Sequence, residues 1–273
     1  MQTLTEIRAI LDEKGIRPKH RLGQNFLHDQ NQLRKLIDAA GLNPGDRVLE
    51  VGPGTGTLSE ALVDAGCRVI ACELDTDMGQ IISERLGDRV QLVQGDCLDG
   101  PRRLSEALEV ALGDEPFKLV ANLPYGAASP LMSLLAVDER CRGQYVTIQR
   151  EVGDRLLANP GTRAWGPLTI FVRTYCSVQL IGRLSPHCFW PEPKVESVMI
   201  AITPSPEPPE LPESVLSRVI QTIFTKRRKQ LGSILGRQTP LPEGIAPDRR
   251  PDSLTIDELI ALSKLPIFRN EHE

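Results

Sequence analysis

The chain has 273 residues, 40% of them hydrophobic, with 32 lysines and arginines against 36 aspartates and glutamates and a formal net charge of −4. It has no apolar run of the roughly 18 residues that a membrane-spanning helix needs, and its first residues lack the pattern of a signal peptide, so we expect a cytoplasmic protein without a membrane partner. Its six cysteines form no CxxC pair and its four histidines no HxxxH pair, so we expect neither a metal site nor disulfides.

The charge is distributed unevenly along the chain. Residues 41–139 carry a net charge of −10, whereas residues 140–237 carry +7. Two basic runs, Lys14 to Arg21 and Lys226 to Lys229, lie outside the acidic block. One such run is more typical of a solvated face, but two of them favour a surface that contacts phosphates.

The N-terminal 150 residues predict an α/β fold. Before residue 41 we expect two short helices, the first ending at Gly15 and the second capped by Asp29 and Gly41. Short β-branched runs then alternate with helical segments, which predicts a mostly parallel sheet with helices on both faces. The predicted strands cover 47–51, 67–73, 89–96, 117–124 and 144–150, and the predicted helices cover 57–65, 76–86, 102–112 and 130–136.

The rest of the chain divides at a proline-rich segment. After a helix near 150–158, strands at 177–184 and 194–203 could pair antiparallel at the end of the sheet. Five prolines in the twelve residues 203–214 then break the pattern, and two helices follow, the second opening with the capping-box pair Thr255 and Glu258. The predicted domains are residues 1–204, with an N-terminal helical segment at 1–41, a linker at 205–213, and a helical domain at 214–273.

A glycine loop and two carboxylates indicate a nucleoside cofactor. Glu50 to Gly56 (EVGPGTG) lead from the first strand into a helix, where glycines allow close approach to a ligand. Glu73 ends the second strand and Asp96 the third, so both should lie at the ligand-binding edge of the sheet. There they suit ribose hydroxyls and an adenine amine. The loop lacks the GxGxxG spacing of dinucleotide enzymes, and Glu50 favours S-adenosylmethionine over NAD.

The tetrapeptide NLPY, Asn122 to Tyr125, ends the fourth predicted strand at the same edge. The side-chain oxygen of Asn122 and the carbonyl of Leu123 or Pro124 can accept both N–H bonds of an exocyclic amine, while Tyr125 stacks on the base. Because a sulfonium leaves as a neutral thioether, positioning and electrostatics dominate and no strong base is required. Alone, the motif could equally be a capped turn; beside the glycine loop it predicts methyl transfer to a base.

Eight motifs, in order, resemble those of the KsgA/RsmA family of small-subunit rRNA adenine dimethyltransferases. They are LGQNFLHD at 22–29, VLEVGPGTGTL at 48–58, ACELD at 71–75, QGDCLD at 94–99, NLPY at 122–125, CFWPEPKVESV at 188–198, FTKRRKQL at 224–231 and RPDSLTIDEL at 250–259. The resemblance implies a Rossmann-like class I S-adenosylmethionine-dependent methyltransferase fold, with a mostly parallel seven-stranded sheet and a small all-α C-terminal domain. It also implies N6,N6-dimethylation of two adjacent adenosines in the loop of the 3′-terminal hairpin of 16S rRNA, late in small-subunit assembly. We expect the enzyme to be a monomer.

Matching positions imply the roles of individual residues. The implied catalytic residues are Asn122, Leu123, Pro124, Tyr125 and Phe189, the last a loop side chain presented to the far face of the target base. The implied cofactor contacts are Gln24, Asn25, Leu27, Gly52, Gly54, Gly56, Glu73, Asp96 and Asn122. The expected RNA contacts are Lys19, Arg21, Lys226, Arg227, Arg228 and Lys229. The chain departs from the family directly after NLPY, where it has Gly126, Ala127 and Ala128.

Two other functions fit the same fold. The related Erm class methylates an adenine of 23S rRNA and shares the cofactor motifs, but the Leu of NLPY, the KRRK run and the RPDSL motif favour the small-subunit enzyme. A non-catalytic rRNA-binding assembly or transcription factor is the second alternative. The intact pairs Asn122 and Tyr125, and Glu73 and Asp96, argue against it.

Overall fold

A computed structural model describes residues 1–100 and 102–268 of the protein. The chain divides into two compact units. The first comprises Met1–Gly153 and Val178–Pro204, and the second comprises Asp154–Ser177 and the described residues from Ser205 onward. Within the described residues, no helix is long and apolar enough to cross a membrane.

The first unit is built on a seven-stranded sheet. In the described residues, the strands are β1 Phe26–Leu27, β2 Arg47–Val51, β3 Arg68–Glu73, β4 Val90–Gln94, β5 Phe117–Asn122, β6 Cys141–Gln149, β7 Cys176–Leu184, β8 Phe189–Trp190 and β9 Ser197–Pro204. The order in the large sheet is β4-β3-β2-β5-β6-β9-β7. Neighbours from β4 to β6 are parallel and β9 is antiparallel to β6. The predicted α/β fold with a mostly parallel seven-stranded sheet is therefore confirmed.

Helices follow most of the strands, as the alternating pattern predicts. In the described residues, they are α1 Leu4–Glu13, α2 Gln30–Ala40, α3 Thr57–Asp64, α4 Thr76–Leu86, α5 Glu106–Leu112, α6 Tyr125–Leu135, α7 Arg150–Leu156, α8 Pro167–Tyr175, α9 Glu213–Phe224, α10 Leu231–Leu235 and α11 Ile256–Ser263. The predicted start of α6 at residue 130 is wrong. The helix begins at Tyr125, directly after the NLPY turn, and Pro130 lies inside it.

Helix boundaries follow from local hydrogen bonds. The Asp29 carboxylate accepts the backbone N–H groups of Asn31 and Gln32 at 3.0 and 3.1 Å, and α2 ends at Gly41 in the left-handed region. Thr255 and Glu258 form the predicted capping box of α11. These caps satisfy groups that a helix end leaves without an intrahelical partner, so both helices begin where the sequence predicts.

Each unit has its own apolar core. In the first unit, Val48, Leu49 and Val120 on the central strands are fully buried, as expected for parallel strands covered on both faces. In the second unit, helix α9 buries Leu216 and Ile223 in a cluster that includes Trp165. The cores hold the strand ends in place, so the residues that follow β2 to β5 have fixed positions.

Candidate active site

A cavity of about 480 Å³ lies at the carboxyl ends of the parallel strands. It is lined by the glycine loop after β2, the ends of β3 and β5, the turn after β4, and the segment His20–Leu27. The strand order reverses at β2, and open α/β sheets bind ligands at such a point. The predicted site residues that line the cavity are Arg21, Gln24, Asn25, Leu27, Gly52, Gly54, Glu73, Asp96, Asn122, Leu123, Pro124 and Tyr125.

The glycine loop packs tightly against two other walls of the cavity. A Cβ atom on Gly52 would lie 2.8 Å from Cγ of Pro124, and one on Gly54 would lie 2.8 Å from Cε1 of Phe26. Gly54 also donates its N–H to Oε2 of Glu73 at 3.2 Å. Only a loop without side chains at these two positions can approach both the NLPY turn and the N-terminal segment.

Gly56 has a structural position rather than a cavity position. It precedes α3 with a φ of +88°, and a Cβ atom there would lie 2.9 Å from Cδ1 of Ile82. Gly56 is not among the described residues that line the cavity. Its contact is with α4, so the predicted cofactor contact of Gly56 is not supported by its placement.

Two buried carboxyl groups lie beneath the glycine loop. Glu73 is 6% exposed, and its Oε1 accepts the N–H of Asp75 at 2.8 Å. Burial raises the pKa of Glu73, and the hydrogen bonds from Asp75 and Gly54 oppose that effect. Glu50 accepts a hydrogen bond from Oγ of Ser59 at 2.5 Å, and burial raises the pKa of Glu50 to about 8.

The third carboxylate, Asp96, is exposed and held by a local turn. Its Oδ1 accepts the N–H of Leu98 at 3.0 Å. Leu98 and Leu74 line the cavity beside the two acidic strand ends, and Leu74 is 52% exposed. Apolar surface next to a few polar groups is typical of small-molecule sites. Neither leucine is among the site residues predicted from the sequence, although Leu74 directly follows Glu73 and is apolar.

The orientation of the Asn122 side chain is set by the N-terminal segment. Its Nδ2 donates a hydrogen bond to the main-chain oxygen of Asn25 at 2.9 Å. That bond engages the donor end of the amide, so Oδ1 is the end suited to accept from a substrate. In the same turn, the Pro124 carbonyl accepts the N–H of Ala127 at 3.1 Å, and the Leu123 N–H donates to Thr147 at 3.1 Å.

The two aromatic residues of the predicted site differ in placement. Tyr125 is partly exposed and lines the cavity; burial raises its pKa, and a hydrogen bond with Ser197 opposes that effect. Phe189 is 2% exposed and belongs to the apolar core. Strand β8 pairs with β1, and Phe189 lies opposite the buried Leu27 in this pairing. The Phe189 ring therefore faces the core, and the expectation that it is a presented loop side chain is wrong.

The predicted RNA contacts fall into two groups. Lys19 donates to Asp75 and to Asp77, each at 2.6 Å, and Arg227 donates to the carbonyl oxygens of Thr162 and Arg163, each at 3.0 Å. Those two cations already have intramolecular partners. In the other group, the exposed residues are Arg21, Lys226, Arg228 and Lys229.

The groups around the cavity fit S-adenosylmethionine. Thr55, in the glycine loop, is 1% exposed, lines the cavity, and its Oγ1 has no hydrogen-bond partner among the described residues. A buried hydroxyl without a partner in the protein has its hydrogen-bonding capacity left for a water or for a bound molecule. Glu73 and Asp96 suit ribose hydroxyls and an adenine amine, and Leu74 supplies apolar surface. No group of three or more potential metal ligands occurs in the described part of the chain.

Known proteins are similar to this chain over most of its length. The profile of the ribosomal RNA adenine dimethylase family matches residues 15–264. The ribosomal RNA small subunit methyltransferase A of Cutibacterium acnes is 35% identical, with 93% of this chain and 90% of that protein covered. The protein of the same name from Geobacter metallireducens is 36% identical, with 92% and 96% covered.

Two solved structures share the fold. A dimethyladenosine transferase from Plasmodium falciparum has a TM-score of 0.71 at 23% identity, with 87% of this chain and 95% of that chain covered. The 23S rRNA methyltransferase ErmE has a TM-score of 0.67 at 21% identity, with 88% and 98% covered. At these identities the likeness concerns the fold alone.

Proposed function

The chain belongs to the ribosomal RNA adenine dimethylase family, and from this premise we propose that it dimethylates adenines of small-subunit rRNA with S-adenosylmethionine as methyl donor. The proposed target is the pair of adjacent adenosines in the loop of the 3′-terminal hairpin of 16S rRNA. The observation that carries the proposal is the Asn122 amide, whose donor end is bonded to Asn25 within a cavity that also contains Glu73. The acceptor end is thereby left for an adenine amine.

The chain's own residues would orient the target amine. Oδ1 of Asn122 and the carbonyl oxygen of Leu123 or Pro124 accept hydrogen bonds from the two N–H groups of the amine. These hydrogen bonds oppose delocalisation of the nitrogen lone pair into the ring. Tyr125 supplies a face on which the base stacks. When bound, S-adenosylmethionine supplies a methyl group on a sulfonium, a leaving group that becomes a neutral thioether. No strong base is needed, since the amine proton can leave after transfer, so positioning is the main contribution of the protein.

The proposed cofactor contacts come from three walls of the cavity. Glu73 would hold the ribose hydroxyls and Asp96 the adenine amine. The glycine loop would contribute its backbone together with the Thr55 hydroxyl. On the remaining wall, the segment that contains Asn25 and Leu27 covers the cavity.

The proposed partner is 16S rRNA in the assembling small subunit, bound in the cytoplasm by a monomer. Arg21 and the exposed cations Lys226, Arg228 and Lys229 are the proposed phosphate contacts. We keep the domain division at 1–204, 205–213 and 214–273 as a proposal, with the last segment as the RNA-binding domain; its residues 269–273 lie outside the described residues.

A comparison of two RNA substrates tests this function. Labelled S-adenosylmethionine is supplied in separate reactions with unmethylated 30S particles and with naked 23S rRNA, and the label is expected in the 30S particles alone. Label in 23S rRNA alone would assign the Erm-type function. Particle binding without label in either RNA would assign the non-catalytic function.

A further inference from the structure

A short loop forms one wall of the cavity. The cover loop, defined here as residues 19–25, contains a 3-10 turn at His20–Leu22 that ends at Gly23 in the left-handed region. Residues 20–25 all line the cavity. The position of this loop therefore determines how closed the cavity is.

A ring of hydrogen bonds joins the cover loop to Asp75. Nζ of Lys19 donates to Oδ1 of Asp75 at 2.6 Å, and Nε2 of Gln24 donates to Oδ2 of the same carboxylate at 2.7 Å. The backbone N–H of Lys19 donates to Oε1 of Gln24 at 2.8 Å, which closes the ring. Both ends of the loop are thus tied to one carboxylate.

Asp75 is itself held firmly. It is 4% exposed, and its Oδ1 accepts the N–H of Asp77 at the start of α4 at 3.1 Å. Its own N–H donates to Glu73, the proposed ribose contact, at 2.8 Å. The ring therefore connects the cover loop to the cofactor side of the cavity.

The far end of the cover loop reaches the NLPY turn. The main-chain oxygen of Asn25 accepts from Asn122 at 2.9 Å, and Nδ2 of Asn25 donates to the oxygen of Gly23 at 3.0 Å. A shift of the cover loop would therefore move the acceptor that orients Asn122. The loop links cofactor binding to positioning of the target amine.

The charges around Lys19 argue against a phosphate contact. Its ammonium lies between two carboxylates, those of Asp75 and Asp77, so this group of three carries a net negative charge. Burial is the strongest single influence on the pKa of Asp75 and would raise it, but the hydrogen bonds from Lys19, Gln24 and the Asp77 N–H, together with the charge of Lys19, lower it overall. Asp75 stays ionised and needs its cationic partner, because a buried carboxylate that loses its partner is costly.

We propose that Lys19 is a positioning residue that, with Gln24, holds the cover loop against Asp75 and so closes the cofactor cavity and orients Asn122. This inference rests on the proposed function. It replaces the expected RNA contact of Lys19 and the expected direct cofactor contact of Gln24 with an indirect role for both.

The test compares Lys19→Met with Lys14→Met. Lys14 belongs to the same basic run and pairs with Glu84 on α4. Among the described residues, Lys14 is not one of those that line the cavity. Each variant removes one positive charge, so a general electrostatic effect on RNA is matched. Binding of S-adenosylmethionine without RNA, kcat and KM for the cofactor, and affinity for 30S particles are measured for both.

Lys19→Met is expected to weaken cofactor binding about tenfold or more, the effect of losing a charge-assisted hydrogen bond, and to lower kcat as well. Lys14→Met is expected to change both by less than about twofold, the effect of an exposed pair. The two variants should bind 30S particles equally, and Lys19→Arg should restore most of the cofactor affinity. Gln24→Met, which removes a ring member without changing charge, should weaken cofactor binding in the same direction even if Lys19→Met fails to fold.

Unchanged cofactor affinity in Lys19→Met and Gln24→Met would overturn the proposal. A loss of 30S affinity confined to Lys19→Met, with cofactor affinity intact, would restore the RNA contact and likewise overturn it. Failure of the proposed function looks different, because the wild-type protein itself would then bind no S-adenosylmethionine or methylate no 30S particle.

Discussion

The amide nitrogen of Asn122 lies 2.9 Å from the main-chain oxygen of Asn25 and donates a hydrogen bond to it. A backbone carbonyl can only accept, so this contact decides which end of the Asn122 amide is left for the substrate. The NLPY turn is thus tied to a segment that belongs to the N-terminal part of the chain. This one hydrogen bond joins the proposed cover of the cofactor to the proposed site of the target base.

Replacing Asn122 should remove methyl transfer while leaving the protein folded. Asn122→Ala takes away the proposed acceptor for the adenine amine, and we expect kcat to fall by about 100-fold or more, as when one positioned hydrogen-bonding group is removed from an active site. Affinity for 30S particles should stay unchanged. Labelled-methyl assays check this, with Asn31→Ala, an exposed position on α2, as control. Substantial activity in Asn122→Ala would exclude the role assigned to that side chain.

Substituting Gly54 should affect the site more than backbone strain alone explains. Gly54 has a φ of +59° and Gly41 a φ of +53°, but a Cβ atom meets Phe26 at 2.8 Å at the first position and nothing within 4 Å at the second. Gly41→Ala should lose about 1–2 kcal/mol of stability, the cost of a side chain in the left-handed region, and Gly54→Ala should lose more because its Cβ atom also meets Phe26; urea unfolding measures both. Only Gly54→Ala should also lose cofactor binding. Equal cofactor affinity in the two variants would contradict the close packing of the loop.

Glu50 should make the protein less stable as the pH rises through neutrality. Burial raises the pKa of Glu50 from 4.5 to about 8, so between these values the folded protein keeps a proton that the unfolded chain has lost. Stability should therefore fall by up to about 1.4 kcal/mol per pH unit between pH 4.5 and 8 from this group, and level off above.

Glu50→Gln cannot titrate and should remove that decline. Unfolding midpoints in urea at pH 5, 7 and 9 measure the effect, with the exposed Glu106→Gln as control. The stability of Glu50→Gln relative to wild type should rise from pH 5 to pH 9, whereas that of Glu106→Gln should stay level. Parallel pH profiles for Glu50→Gln and wild type would contradict the buried, proton-retaining carboxyl group.

The KRRK run should divide into three RNA contacts and one structural residue. Replacing Lys226, Arg228 and Lys229 together by alanine should weaken RNA binding and reduce the dependence of log affinity on log salt by up to about 2, since each lost phosphate contact removes about 0.7. Arg227→Ala should instead lower stability by about 1 kcal/mol or more, because its two bonds to backbone carbonyls are lost. Fluorescence anisotropy and thermal unfolding separate the two effects. The reverse pattern would show that Arg227 is the main contact.

Much of the candidate site follows from the sequence because it depends on strand ends. Glu73 closes β3 and Asn122 closes β5, and parallel strands bring their carboxyl ends to one edge whatever the details of packing. The caps of α2 are equally local. Predictions of this kind need only the order of the elements and the residue that ends each one.

The misplaced residues depend on contacts between distant segments. Phe189 is buried because the two-residue strand β8 pairs with β1, and strands this short carry no periodicity that a sequence can reveal. Lys19 lies in a basic run that predicts a phosphate contact, and only the folded chain shows Asp75 beside it, which is the basis of the positioning role proposed above. Helix α8 is not among the predicted helices, because the proline at its first position, Pro167, is the one boundary signal in its apolar sequence.

Mass-spectrometric mapping of 16S rRNA is the most direct test of the central claim. Unmethylated 30S particles are incubated with the protein and S-adenosylmethionine, and the 3′-terminal hairpin is isolated and sequenced. We predict N6,N6-dimethyladenosine at the two adjacent adenosines of the hairpin loop. If both adenosines stay unmodified, and the wild-type protein gives the same spectrum as the Asn122→Ala control, the proposed dimethylation is contradicted.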